Sequence, residues 1–411
     1  MTTLEVRPGP AVLAGIERGP SLAAHRSQYG DLPRPGLDEL LALVESAAVR
    51  GRGGAAFPFA TKLRTAARGR RRPVVVVNLA EGEPASSKDT ALALTRPHLV
   101  IDGAVVTARA LGAREVHVVL PGERPQVVAA VTRALAERDD RVRTSTHVTS
   151  GRFVAGQARA VVELVSGRDG LPVTGWVPEP VSGVGGRPTL LSNAETWAHV
   201  ARWVLLGQRG YAGLGTPGEP GTTLLTWSLA GAGTAAATSA PATVLEVPFG
   251  SRFRDVLPPA AADRPVLVGG YHGAWATWDT LASARVSVPQ LRQLGVPLGA
   301  GVVLSAEECP VDVSLRIVSW LAGQSAGRCG PCTRGLPALA AELTAAASGT
   351  GDLDRVRELA GLVTGRGACA HPDGTARLVR SVLTAWPEEL AEHARGGCTM
   401  SGAGTCQELA S

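Results

Sequence analysis

Between residues 73 and 139, apolar β-branched runs alternate with segments of helical spacing. That alternation constrains the fold more than anything else in the chain. "PVVVVNLAEGEP" reads as a buried strand ending in a polar loop, and "PHLVIDGAVVTARALGA" as a helix. "REVHVVLPG" is the next strand and "ERPQVVAAVTRALAERDD" the next helix. Strand–helix repetition of this kind requires a mostly parallel α/β sheet, whose ligands bind at the carboxyl ends of the strands. Upstream, an irregular arm leads to a helix, "GLDELLALVESAAVR", and then to "GRGGAAFPFATKLRTAA", a glycine-rich loop that opens another helix.

The pattern changes twice downstream. From about 222 to 290, "TLLTWSLAG", "ATVLEVPFG" and "PVLVGGYHG" surround one short helix, "SRFRDVL", which predicts a small separate α+β module. From 310 on, "PVDVSLRIVSWLAGQ", "GLPALAAELTAAAS", "LDRVRELAGLVTG" and "GTARLVRSVLTAWPEEL" are all helical and predict a bundle. A chain of 411 residues accommodates two to four such units, with cores of Val, Leu and Ala because aromatics make up only 4%.

The net charge of +5 rests almost entirely on arginine. No basic block is interleaved with aromatics, and "RGRRRP" reads as a solvated loop, so nucleic acid is not an expected partner. A mildly basic face suits phosphate-bearing cofactors and acidic protein partners. "MTTLEVRPGP" lacks the apolar segment of a signal peptide, and the most apolar stretch is broken by Gly, Ser, Thr and Pro. The expectation is a cytoplasmic chain without direct membrane insertion.

The six cysteines, at 309, 329, 332, 369, 398 and 406, all lie in the last quarter. A secreted disulfide protein would spread them out; clustering favours metal ligation. Cys329 and Cys332 form a C-G-P-C whose spacing suits an iron–sulfur cluster, although a cluster usually takes four thiolates. The same four residues are the thioredoxin dithiol motif, but there it follows a strand early in a small domain. Cys309, His393, Cys398 and Cys406 make a Cys3His set, a zinc set by type. Cys309 also reads as a small buried hydrophobe, and the tail as a source of one more cluster ligand.

The loop "GRGG" at 51–54 brings backbone N–H groups towards a helix start, as phosphate sites do. Rare residues sit around it. Of 41 Lys+Arg only Lys62 and Lys88 are lysine, and Asn78 and Asn193 are the only asparagines. A compact ammonium and an amide fill roles that Arg and Ser fill poorly.

In combination, "RGRGGAAFP…K", "NLAEGEPASSKD", "PHLVIDGA", "GGRPTLLSNAET" and "SAGRCGPCTRG" resemble the FMN- and NADH-binding flavoprotein subunits of respiratory complex I. Matching subunits occur in NAD-linked hydrogenases and formate dehydrogenases. The resemblance implies a Rossmann-like FMN domain, a β-grasp (ubiquitin-like) module and a C-terminal helical bundle holding a 4Fe-4S cluster. Boundaries follow: an arm over 1–35, the FMN-binding α/β domain over 36–215, the β-grasp module over 216–300, the bundle over 301–395 and a cysteine-containing tail over 396–411.

By position, the resemblance implies that Gly51, Arg52, Gly53, Gly54 and Lys62 cradle FMN, that Asn78 and Glu81 run along the flavin, and that Asn193 closes the phosphate side. Phe57 and Glu83 match positions that contact the nicotinamide nucleotide, and Glu81 and Glu83 are the candidate catalytic acids. Several residues depart from the pattern. The acid before Glu81 is Ala80, and the Gly-Glu-Glu turn reads Gly156-Gln157-Ala158, keeping only its glycine. The aromatic before the last FMN loop is at best Trp176. The first cluster cysteine is Ala326, with Cys329, Cys332 and Cys369 at the other three positions. A fourth iron would take a tail cysteine, His371 or water, or be absent, giving a 4Fe-4S or a 3Fe-4S cluster.

The expected function is an FMN-dependent NAD(P)H oxidoreductase subunit that passes electrons to a ferredoxin-like or other iron–sulfur partner within a hetero-oligomer. The alternatives are a non-catalytic structural subunit with a decayed NADH site, motivated by Gln157, Ala158 and Ala326, and a cluster-free flavin reductase.

Overall fold

The computed structural model of the chain describes residues 4–211, 213–230 and 242–400. Its strands are β1 (Leu4–Val6), β2 (Val74–Asn78), β3 (Glu115–Leu120), β4 (Arg143–Val148), β5 (Thr189–Asn193), β6 (Gly215–Thr216), β7 (Glu219–Pro220), β8 (Thr222–Ala230), β9 (Ala242–Pro248), β10 (Val266–Val268), β11 (Ala274–Ala276) and β12 (Val302–Ala306).

The first sheet has the order β4-β3-β2-β5 and is parallel throughout. The valine run of β2 explains its place in the middle. Val75 and Val77 join the core under helices Pro97–Ala110 and Ala194–Leu206, while Val74 and Val76 pack on the other face against Val161, Val162 and Val184. A strand buried on both faces has no use for polar alternation. Gly103 lets the two covering helices touch, since a Cβ there would lie 2.0 Å from the Trp197 carbonyl oxygen. Trp197 completes the contact by donating its indole N–H to the carbonyls of Val76 (3.2 Å) and Ser192 (3.0 Å).

The second sheet is mixed, in the order β1-β9-β8-β12-β10-β11, with a parallel pair β8–β12 at its centre. Its edge strand β1 comes from the N-terminal arm and pairs in parallel with β9. The buried Glu246 of β9 then accepts the backbone N–H groups of Ala11, Val12 and Leu13 at 2.7–3.0 Å, fixing the arm. Strand β12 also belongs to this sheet, so the helical segment expected from 301 has its first helix at Pro310.

Five helices follow: Pro310–Gly323, Leu336–Ala347, Leu353–Val363, His371–Ala385 and Pro387–Ala394. Ile317, Leu321, Leu339, Val356, Val379 and Val382 meet in one apolar core. The helices dock on the second sheet through Trp275 of β11, whose indole N–H donates to Ser314 Oγ at 2.7 Å. Among the described residues, no helix is long and apolar enough to cross a membrane.

Candidate functional site

In the first sheet the chain runs from β2 outward to β3 and β4, then returns to the far side of β2 as β5. Strand order therefore reverses between β2 and β5, and a crevice at the carboxyl ends of such a pair is where α/β sheets bind ligands. The last residues of the two strands are Asn78 and Asn193, and they are register partners. The two asparagines of the chain are thus brought side by side at the switch point.

Each is held in a network. Asn78 donates from Nδ2 to the Gly156 carbonyl (2.9 Å) and accepts the N–H of Ala80 (3.1 Å). Asn193 Oδ1 accepts from Thr196 Oγ1 (2.5 Å), which itself accepts the backbone N–H of Arg52 (3.0 Å). Arg52 Nε lies 3.8 Å from Glu195, and Glu195 pairs at 3.0 Å with Lys88 Nζ. Lys88 also reaches both oxygens of Asp89 at 3.1 Å, and Asp89 lies 3.3 Å from Asn193 Nδ2. The glycine loop, the helix start after β5 and the helix Lys88–Thr95 are thereby tied into one closed ring of buried polar contacts.

The charges are set by this ring. Burial disfavours the Glu195 carboxylate, but Lys88, a His199 hydrogen bond and Arg52 hold its pKa down at about 2. Burial likewise opposes the Lys88 ammonium, yet Asp89, Glu195 and Glu81 hold it well above the ordinary lysine range. Asp89 is pushed up to about 6 by burial, against the pull of Lys88.

Gly51, Arg52, Gly54 and Glu195 line one wall of a narrow cleft of about 30 Å³, and the loop 297–301 lines the other. Gly54 has φ +101° and faces Gly299 across it. Arg52 Nε is buried there without a hydrogen-bond partner. Phe57 closes the glycine loop, its carbonyl accepting the Gly51 N–H at 2.8 Å, while its ring is 46% exposed. Lys62 Nζ sits beside that ring and donates to the Leu191 carbonyl of β5 at 3.3 Å. A glycine-lined wall and a buried guanidinium with an unpaired Nε–H are the donors a flavin phosphate needs, with the Glu195 carboxylate on the same wall and Lys62 outside the cleft's lining. Gly53 lies in the same loop.

The loop after β2 places its two acids differently. Glu81 is a buried anchor: it accepts from Ser86 Oγ (2.6 Å), the N–H groups of Asp89 and Thr90 (3.0 and 2.9 Å) and Arg124 (2.8 Å). Glu83 faces the second sheet, accepting the backbone N–H of Tyr271 at 3.0 Å. Withdrawal from water pushes its pKa up to about 7, against the opposing Tyr271 and Ala85 N–H donors. Trp176 is 90% exposed.

Cys332 lies in a widened turn over Pro331–Gly335, before the second bundle helix, Cys329 lies two residues ahead of that turn, and Cys369 lies just before His371–Ala385. Burial and then the neighbouring thiols Cys329 and Cys369 push the Cys332 thiol up to about 12, and Cys329 acts on Cys369 in the same sense. The three thiols thus lie in one part of the bundle, close enough to disfavour one another's ionisation. Ala326, at the first cysteine position of the family pattern, is buried in the bundle core. His371 already uses both ring nitrogens, Nδ1 with His272 (3.1 Å) and Nε2 with the Leu321 carbonyl (2.9 Å). Cys398 is gathered elsewhere, with Cys309, Glu389 and His393. Cys406 lies outside the described residues. Three thiols are the ligand type of an iron–sulfur cluster, with no cysteine at Ala326.

Sequence reading did not single out Glu195, Asp89, Thr196 or Arg124. Glu195 and Thr196 follow Asn193 in "SNAET", and Asp89 follows Lys88, so adjacency to rare residues was the available signal. Glu389 was missed as well; its signal is a four-residue spacing to His393.

Comparison with known proteins agrees with this layout. The family model described as the Nuo51 FMN-binding domain matches residues 44–202, and that of the NADH-ubiquinone oxidoreductase-F iron-sulfur binding region matches residues 312–393. The second of the NADH-quinone oxidoreductase F subunits of Rhizobium meliloti is 27% identical over 94% of this chain and 95% of its own length. The NADH-quinone oxidoreductase F subunit of Streptomyces coelicolor is 28% identical over 88% and 84%. The NADP-reducing hydrogenase protein HndC of Solidesulfovibrio fructosivorans is 26% identical over 86% and 76%. Among solved structures, a chain of an NAD+-reducing NiFe-hydrogenase in the H2-reduced state superposes with a TM-score of 0.81 at 25% identity, over 95% of this chain and 68% of that one.

Proposed function

Because the chain belongs to the family of FMN-binding flavoprotein subunits of NADH-quinone oxidoreductases and NAD(P)-linked hydrogenases, we propose that it moves electrons from NADH, by way of FMN, to a cluster in its bundle and on to an iron–sulfur partner protein. The observation that carries the reading is the pairing of Asn78 with Asn193 at the switch point, beside a glycine-walled cleft holding the Arg52 guanidinium. The chemistry supplied by bound FMN is the conversion of a two-electron donor into single electrons.

The chain's own residues do the rest. Gly51, Gly53 and Gly54 offer backbone to the phosphate, with Arg52 and Lys62 as cations and Asn78, Glu81 and Asn193 shaping the flavin side. Phe57 and Glu83 take the nicotinamide nucleotide. Cys329, Cys332 and Cys369 hold the cluster. The second sheet, with its central parallel pair β8–β12, supports reading it as the β-grasp module, and the five helices as the cluster-bearing bundle.

Between Glu83 and the thiols lies an aromatic group. Phe153 meets His272 (ring centroids 4.7 Å apart), His371 (5.5 Å) and Trp320 (5.5 Å), and Tyr271 meets Trp320 (5.5 Å). His371 is two residues from Cys369, so this packed bridge joins the acidic loop to the cluster turn. Gln157 and Ala158 stand where the family turn has two carboxylates, which supports weaker nucleotide binding than in the relatives.

The test is anaerobic reconstitution with FMN, iron and sulfide, followed by NADH. Bleaching of the flavin bands with reduction of the cluster is expected. Flavin that stays oxidised under excess NADH would establish the non-catalytic reading, and bleaching without bound iron would establish the cluster-free one.

A further inference from the structure

At the far end of the bundle four ligand-type side chains converge with no part in the electron path. Cys309 sits just before the first bundle helix, Pro310–Gly323. Glu389 and His393 lie one helical turn apart on the last helix, Pro387–Ala394, and Cys398 lies in the turn after it. One ligand atom from each comes within 4.8 Å of all the others.

Three of the four atoms form a triangle with edges close to tetrahedral length, and Cys398 Sγ lies within 4.8 Å of each. Cys309 Sγ is 3.2 Å from His393 Nε2 and 3.5 Å from Glu389 Oε1, and those two atoms are 3.4 Å apart. Arms of about 2.0–2.3 Å to N, O and S ligands give tetrahedral edges of roughly 3.3–3.8 Å. The outer contacts are also those of a metal site. His393 turns Nε2 inward and Nδ1 towards Asp312 Oδ1 at 3.7 Å, as ligating histidines turn their second nitrogen to a carboxylate. Glu389 is oriented by the Thr399 N–H (3.1 Å) and hydroxyl. Cys309 and Glu389 are buried, so bulk water does not reach the inner edge.

We propose that Cys309, Glu389, His393 and Cys398 bind one zinc ion, tetrahedrally and with no position left open, as a structural clamp. Two thiolates, an imidazole and a carboxylate select a borderline-soft d¹⁰ cation over calcium or magnesium. The clamp fastens the end of the last helix to the start of the first. All three cluster thiols lie on the stretch of chain it closes, so zinc holds the bundle in which they are grouped. The set shares Cys309, His393 and Cys398 with the Cys3His set expected from sequence; Cys406 lies outside the described residues, and among these Glu389 is the fourth ligand-type group.

The test uses the full chain, purified anaerobically from zinc-supplemented cells, with zinc and iron measured together. One zinc per chain is expected. His393→Ala and Cys398→Ala should each reduce zinc at least tenfold, and Cys329→Ala should reduce iron while zinc stays. Asp312→Asn should weaken zinc by about ten- to a hundredfold as a positioning residue. Because ligand variants can fail to fold, Co²⁺ is also exchanged into the unaltered chain. Thiolate-to-cobalt charge transfer with tetrahedral d–d bands is the expected spectrum. Zinc below a tenth per chain, an octahedral cobalt spectrum, zinc retained in both folded ligand variants, or Cys309 and Cys398 recovered as a disulfide would each overturn the proposal. None of these readouts depends on FMN or NADH.

Discussion

Lys88 is a single residue on which two elements of the site depend. Its ammonium is 2% exposed, and it is the shared cation of Asp89 and Glu195. Removing one partner of a buried pair leaves the other charge uncompensated, typically at a cost of about 3–5 kcal/mol. Lys88→Met is therefore expected to destabilise the chain by that amount, measured by denaturant unfolding, and a loss below about 1 kcal/mol would show that the ring relaxes around the gap. Arg is a poor replacement because a planar fork cannot occupy the same point between two carboxylates. The retention of lysine in an arginine-rich chain has a structural cause at this position.

Glu83 gives a residue-scale pH effect. Its folded pKa, about 7, lies above the ordinary 4.5. The protonated acid therefore contributes stability that is fully present below 4.5 and is lost as pH rises through 7. At about 1.4 kcal/mol per unit, the loss is at most about 3 kcal/mol, less where water enters the cleft. Glu83→Gln should be as stable as the parent at about pH 4.5 and more stable at about pH 8, read from thermal melts of nucleotide-free protein. Equal melting of the two proteins at the higher pH would contradict the assignment.

At the scale of elements, the bundle works as a support for its loops. The first, second and fourth helices pack through Ile317, Leu339 and Val379, and the thiols sit in the turns between helices. One close approach ties this bundle to the second sheet: a Cβ on Gly374 would lie 2.2 Å from the His272 ring. Gly374→Ala should displace His272, break its contact with His371 and destabilise the fold by about 1–3 kcal/mol, as overpacking does. If the aromatic bridge matters, cluster reduction by NADH slows more than flavin bleaching in the same variant. Equal slowing of both would assign the bridge a packing role only. Cys369→Ser is expected to reduce bound iron sharply with FMN content unchanged, by metal analysis and absorbance.

At the scale of the whole molecule, the cleft opens between the first sheet's glycine loop and the second sheet's 297–301 loop, so neither unit makes it alone. The turn Gly156-Gln157-Ala158 belongs to the first unit, and its glycine carbonyl is already used by Asn78. The double substitution Gln157→Glu, Ala158→Glu restores the family's acids. At about 0.5–1.5 kcal/mol per recovered contact, it should tighten NADH several-fold to a hundredfold. Titration of flavin bleaching measures this; unchanged or weaker affinity would show that other residues have taken over the contact.

Much of this was legible in the sequence because local physics determines it. The valine run and its flanking helices fix a parallel sheet, since only burial on both faces suits "VVVV" and only crossover helices join parallel strands. The rarity of Lys and Asn singles out Lys62, Lys88, Asn78 and Asn193, and the C-G-P-C spacing singles out Cys329 and Cys332, with Cys369 added only by the family resemblance. What the sequence alone could not decide are the meetings of residues far apart in the chain. Strand order put Asn78 beside Asn193, and no local pattern encodes which edge of β2 receives β5. β1 crossed to the second sheet because an open strand edge takes whichever segment can satisfy its N–H and C=O groups. Glu195 became the counter-charge of Lys88, and both ring nitrogens of His371 were taken up by His272 and Leu321. Glu389, an ordinary helix acid in sequence, joined Cys309 only when the last helix packed against the start of the first. Composition and periodicity act over a few residues, whereas ligand sets and buried ion pairs are closed by packing, which couples the whole chain.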